Sequence, residues 1–168
     1  MLQEGGLERV ERIAAGTIAV GVLVLALKTA AWWLTGSAAL FSDALESTVN
    51  VAASVIALMA LRLAHRPADA NHPYGHDKAE FFAAVIEGVL IIVAAGLILT
   101  EAWEAYRTPR ALDAPWTGLG VNALATALNA GWAALLLREG RRHRSAALQA
   151  DARHLYADVV TSLGVTLG

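Results

Sequence analysis

Asp43, Glu46 and Asn50 fall at offsets 0, +3 and +7 in the stretch "SDALESTVN", and Asp151, His154 and Asp158 fall at the same offsets in "DARHLYAD". On a helix turning about 100° per residue, these offsets make one narrow stripe. Ser47 and Ser54 extend the first stripe, and Ser162 extends the second. Both stripes lie within apolar stretches, where ionisable groups are expensive and face a bundle interior or a wet cavity. Glu46/Asn50 and His154/Asp158 are each i, i+4 pairs, so two side chains stack on one face and can grip one ion. Two such helices packed face to face offer four ligands, the count of a tetrahedral divalent site. Two carboxylates, an imidazole and an amide oxygen suit Zn²⁺, Fe²⁺, Co²⁺ or Mn²⁺. A Cu⁺ site would want sulfur, and the chain has no cysteine and only two methionines. The competing reading, polar groups bonding helix to helix as packing glue, fits a lone Asn or Ser better than two matched stripes of Asp, Glu, His and Asp.

Such a site couples to protons. Burial disfavours a charged carboxylate, and a divalent cation requires deprotonated ligands, so binding releases protons. Exchange of metal for protons is the core of an antiporter. A second constellation lies in "DANHPYGHDKAE", where Asp69, His72 and His76 offer one carboxylate and two imidazoles. Pro73 and Gly75 predict a turn that folds the histidines back on one another. From spacing alone, a divalent site and a loop of solvated histidines stand level, since this is not a zinc-finger pattern. Glu87, deep in the third apolar stretch, is a candidate to face the same cavity as the stripes.

The elements that must position these groups are membrane helices. The 168 residues are 57% hydrophobic and 17% charged, with a mean hydropathy of +0.50, more apolar than a soluble domain of this length. A span takes about 20 largely apolar residues. Five stretches approach that: about 13–34, 38–63, 79–103, 116–137 and 147–168. The reading is an all-α polytopic transmembrane bundle of five spans, forming one domain over residues 1–168. A soluble bundle would hardly produce five near-span-length segments with alternating charge bias. Lys28 is the one charge in the first span and is expected to snorkel toward an interface, where Trp32 and Trp33 also belong.

Nine Lys and Arg residues fall on one side (Arg9, Arg12, Arg62, Arg66, Lys78, Arg138, Arg141, Arg142 and Arg144), against Arg107 and Arg110 on the other. The positive-inside rule then puts the N-terminus and the Asp69–His76 loop in the cytoplasm. "REGRRHR" reads as this topology determinant, and a patch so short between two spans argues against nucleic acid. The opening "MLQEGGLERVER" lacks the basic-then-apolar order of a secretory leader, so the first span is expected to be retained. The end, "LYADVVTSLGVTLG", stops inside an apolar stretch, so the sequence reads as truncated within its fifth span.

Three motifs in order, "AWWLTGSAALFSDALESTVNVAAS", "RPADANHPYGHDKAEFFAA" and "DARHLYADVVTSLG", resemble the cation diffusion facilitator family of metal–proton antiporters, and the likeness covers most of the chain. The resemblance implies a homodimer in the cell (inner) membrane, exporting Zn²⁺ or a related ion from the cytoplasm against protons. It also implies six transmembrane helices followed by a cytoplasmic, ferredoxin-like metal-binding domain. The sixth helix and that domain are not in this sequence. Carried over, the transport site is Glu46, Asn50, His154 and Asp158. Asp69, His72 and His76 match the family's loop-proximal site. The family usually has Asp or His at the position of Glu46 and Asp at that of Asn50. Asn50 removes a negative, protonatable group, which opens metal preference, proton stoichiometry and the use of Asp43 as an accessory ligand. The histidine-rich loop of some members is reduced here to His143. No resident cofactor and no enzymatic activity are expected. An intramembrane metallohydrolase would need a motif such as H-E-x-x-H, which is missing. The alternative is a membrane metal-binding or sensor protein that does not transport.

Overall fold

In a computed structural model the described residues are 4–64, 66–67, 69, 72–76, 78–108, 115–142 and 146–167, and they form five helices and no strand. These are α1 (Glu4–Thr35), α2 (Ala38–Ala64), α3 (Lys78–Arg107), α4 (Pro115–Arg142) and α5 (Ala146–Leu167). Each covers one of the expected stretches. α1 starts at Glu4 rather than near Ile13, because apolarity marks the part of a helix inside the bilayer and not where its hydrogen bonds begin.

The turn between α1 and α2 follows from three residues. Gly36 takes φ +64° and its N–H bonds to Trp32 O at 2.8 Å, a left-handed stop that glycine adopts without steric penalty. Ser37 then caps α2: its Oγ accepts the Leu40 N–H at 3.4 Å. Pro115, the first residue of α4, stands where a missing N–H loses no helical bond.

α1 lies between α2 and α4. α4 packs on α5, α3 packs on α2, and α2 meets α5 over a much smaller area. The close α1–α4 approach rests on small residues: a Cβ at Gly118 would run into Thr35, and one at Gly16 would come within 2.9 Å of the Trp132 ring. This is how membrane helices associate where lipid removes the hydrophobic drive. Ala133, Leu136, Leu148, Ala152 and Leu155 form an apolar core between α4 and α5. On α3, by contrast, Phe81, Phe82, Val85, Val89, Ile92 and Leu99 point outward, as a lipid-facing helix requires.

Four of the helices, α1 to α4, are long and apolar enough to cross a bilayer. The expected fifth span departs from this. α5 has 22 residues, but Asp151, Arg153 and Asp158 interrupt its apolarity. The polar stripe that marks the helix is also what lowers its hydropathy. Arg110, His143 and Arg144 lie outside the described residues.

Candidate metal centre

The two stripes face one another. Asn50 of α2 donates from Nδ2 to Asp158 Oδ2 of α5 at 2.7 Å, and its Oδ1 lies 3.1 Å from His154 Nε2. Glu46 joins through Thr161, whose Oγ1 is 3.3 Å from Glu46 Oε2 and donates to the Asp158 carbonyl at 2.9 Å. Three of the side chains, Asn50, His154 and Asp158, therefore form one hydrogen-bonded network spanning α2 and α5, and Glu46 lies beside it across Thr161. Asp158 is buried, Glu46 and Asn50 are half-buried, and His154 is exposed.

A cavity of about 30 Å³ opens beside the network. Asn50, His154 and Asp158 line it together with Thr17, Ser47, Ser54, Asn129 and Asp151, and it has room for a water-sized guest. Asp151, one turn before His154, is held by Thr17 Oγ1 at 3.3 Å, and that same hydroxyl oxygen accepts the Trp132 indole N–H at 3.1 Å. Glu46 does not line the cavity. Neither does Glu87, because its helix packs on α2 and not on α5. Asn129 was missed by sequence reasoning. Its signal is the buried α4 stripe Asn122, Thr126 and Asn129, at offsets 0, +4 and +7.

In this arrangement the candidate ligands Asn50, His154 and Asp158 satisfy each other. Asn50 gives Asp158 a donor and gives His154 an acceptor, so Nε2 carries its proton toward Asn50. A metal ion held here would need the Nε2 lone pair, and so the loss of that proton from Nε2, since imidazole binds a metal through a lone pair.

Asp43 stands elsewhere. Its Oδ1 is 2.6 Å from Lys28 Nζ and accepts Ser162 Oγ–H at 2.8 Å. Lys28 does not snorkel. It is 1% exposed and turned into the bundle, because a counter-charge on α2 and a hydroxyl on α5 meet it there.

The loop brings its three candidates together. His72–Gly75 is a turn closed by Gly75 N–H to His72 O at 3.0 Å, with Pro73 at its second position and Gly75 at φ +82°. Asp69 Oδ1 lies 3.0 Å from His72 Nδ1, Asp69 Oδ2 lies 3.6 Å from His76 Nε2, and the two imidazole rings are 4.4 Å apart. Ligand atoms of the three lie within 4.8 Å of one another, the one such group of His, Asp or Glu among the described residues. Bond lengths of ~2.1 Å to a tetrahedral ion put ligand atoms about 3.4 Å apart, so a small contraction suffices. His76 is nearly buried, and its Nδ1 has no hydrogen-bond partner.

With two opposed stripes and a loop triad placed, the comparison with known proteins is decisive. Residues 14–168 match the family model of the cation efflux transmembrane domain. The chain belongs to the cation efflux (cation diffusion facilitator) family. It is similar to an uncharacterized transporter of Synechocystis, with 47% identity over 151 residues covering 90% of this chain and 49% of that protein. It is also similar to the cation-efflux pump FieF of Cronobacter sakazakii, 32% identical over 90% of this chain and 50% of the pump. The cation-efflux pump FieF of Escherichia fergusonii is 30% identical, over 94% of this chain and 53% of that protein. The chain thus spans about half the length of these relatives. As a member of this cation efflux family, it is a multi-pass membrane protein of a transporter class.

Proposed function

We propose that this chain forms the membrane portion of a divalent-cation exporter that exchanges metal for protons. The observation that carries the reading is the network joining Asn50 of α2 to His154 and Asp158 of α5, with Glu46 beside it across Thr161. Beyond this network and the buried Asp43–Ser162 bond, α2 and α5 have little contact, so the interface holding the candidate ligands can open without dismantling a packed apolar core.

The cargo is Zn²⁺ or a close relation, Fe²⁺, Co²⁺ or Mn²⁺. Two carboxylates with an imidazole and an amide oxygen match these borderline ions. The N-terminus and the Asp69–His76 loop face the cytoplasm, from the Lys/Arg bias. Asp69, His72 and His76 then hold a second ion near the cytoplasmic mouth. The working unit is a homodimer of the full-length chain, as the family resemblance implies.

Transport is tested with the full-length protein in proteoliposomes carrying a pH gradient and a metal-sensitive dye. Uptake of a first-row divalent ion that collapses when the gradient is dissipated is the expected result. Absence of flux for all four ions refutes it, and binding without flux favours a non-transporting metal-binding protein.

A further inference from the structure

Lys28, Asp43 and Ser162 come from three helices, α1, α2 and α5, and are 1%, 2% and 1% exposed. The Lys28 ammonium lies 2.6 Å from Asp43 Oδ1 and donates to Ser162 Oγ at 2.9 Å, while Ser162 donates to the same Oδ1 at 2.8 Å. The other carboxylate oxygen, Asp43 Oδ2, is buried with no hydrogen-bond partner. Asp43 precedes Glu46 by three residues, and Ser162 follows Asp158 by four. The cluster therefore sits about one helical turn along the stripes from Glu46 and Asp158 and about two from Asn50 and His154, on the side of the α1–α2 turn.

Its chemistry is that of an occupied cation site. One carboxylate oxygen and a hydroxyl oxygen hold one positive charge, on the same stripes that carry the candidate metal ligands, and the second carboxylate oxygen is buried without a hydrogen-bond partner. We propose that Asp43 and Ser162 form a second cation subsite, filled by the protein's own Lys28 ammonium. The tethered charge keeps Asp43 out of the transport site and limits this part of the bundle to one divalent ion. A buried carboxylate that loses its partner charge is strongly unfavourable, so removal of the ammonium leaves a vacancy for a cation that hard oxygen donors accept. Mn²⁺ fits that donor set. The inference rests on the metal-site reading above.

The test is Mn²⁺ titration of the purified full-length protein, with free ion counted by electron paramagnetic resonance. Lys28→Met is expected to bind one more Mn²⁺ per protomer than the parent. Lys28→Arg, which keeps the charge, is expected to match the parent, and Lys28→Met with Asp43→Asn returns to the parent count. If Lys28→Met fails to fold, Lys28→Gln keeps a hydrogen-bond donor of similar length without the charge and is expected to gain the same ion. A parental count in a folded Lys28→Met or Lys28→Gln protein overturns the subsite. An extra ion that persists with Asp43→Asn overturns it as well. Failure of the underlying reading looks different: His154→Ala then binds as many ions as the parent, whatever the Lys28 variants do.

Discussion

The Lys28–Asp43 pair makes a sharp stability prediction. Both side chains are 1% exposed and the charged atoms are 2.6 Å apart. At an effective dielectric of about 20 the gross attraction at that distance is about 6 kcal/mol, and most of it only offsets desolvation. What a single substitution exposes is the unpaired partner, and breaking a buried pair from one side destabilises by about 3–5 kcal/mol. In a chain of this size, each kcal/mol moves the melting temperature by about 2–4 °C. Lys28→Met in chelator is therefore expected to melt about 6–20 °C below the parent. Lys28→Met combined with Asp43→Leu replaces both charges with apolar groups and is expected to recover most of that loss. The assay is thermal unfolding in detergent followed by tryptophan fluorescence, with EDTA present so that no metal replaces the ammonium. A single substitution without effect, or a double substitution as unstable as the two singles added together, would refute the idea that the pair is a buried, mutually compensating unit.

Three further outcomes follow from the site. His154→Ala or Asp158→Ala is expected to abolish metal binding at the α2–α5 site while the Asp69–His72–His76 loop keeps its ion, as read by calorimetry; parental affinity at both sites would contradict the four-ligand arrangement. Asn50→Asp adds a carboxylate facing His154 and Asp158 and is expected to change the order of preference among Zn²⁺, Fe²⁺, Co²⁺ and Mn²⁺ in competition titrations; an unaltered order would show that Asn50 is not a ligand. Thr161→Val removes the hydroxyl at 3.3 Å from Glu46, a long contact whose proton is shared with the Asp158 carbonyl, so the expected loss is about 1 kcal/mol, or roughly fivefold in affinity. Thr161→Ser should restore it, and a Thr161→Val protein with full affinity would remove Thr161 from the account.

The helices were legible because each apolar run is nearly a span long and is punctuated by Gly36, Gly75 or polar residues. The facing stripes were legible for a related reason: offsets 0, +3 and +7 have only one meaning on a helix, and both stripes share them. Lys28 was not. Its depth in the first span can be read from the sequence, but its partners Asp43 and Ser162 are 15 and 134 residues away. Whether a buried lysine snorkels or pairs depends on what the neighbouring helices present. The same limit applies to Glu87, whose depth was right for the cavity while its helix packs on the wrong neighbour. Asn129 is a different case, since its stripe with Asn122 and Thr126 has ordinary helical spacing. Neutral polar groups in a span are simply a weaker signal than carboxylates. α5 shows the converse, for hydropathy undervalues a helix whose charges line an interior.

The most direct test of the central claim is to locate the ion. Crystals of the full-length protein grown with Zn²⁺ and measured at the zinc absorption edge report metal positions without reference to function. The account predicts an anomalous peak between α2 and α5 within bonding distance of Glu46, Asn50, His154 and Asp158, with the Asn50–Asp158 hydrogen bond broken. Zinc at the loop triad alone, with Asn50 still bonded to Asp158 and His154, would contradict it.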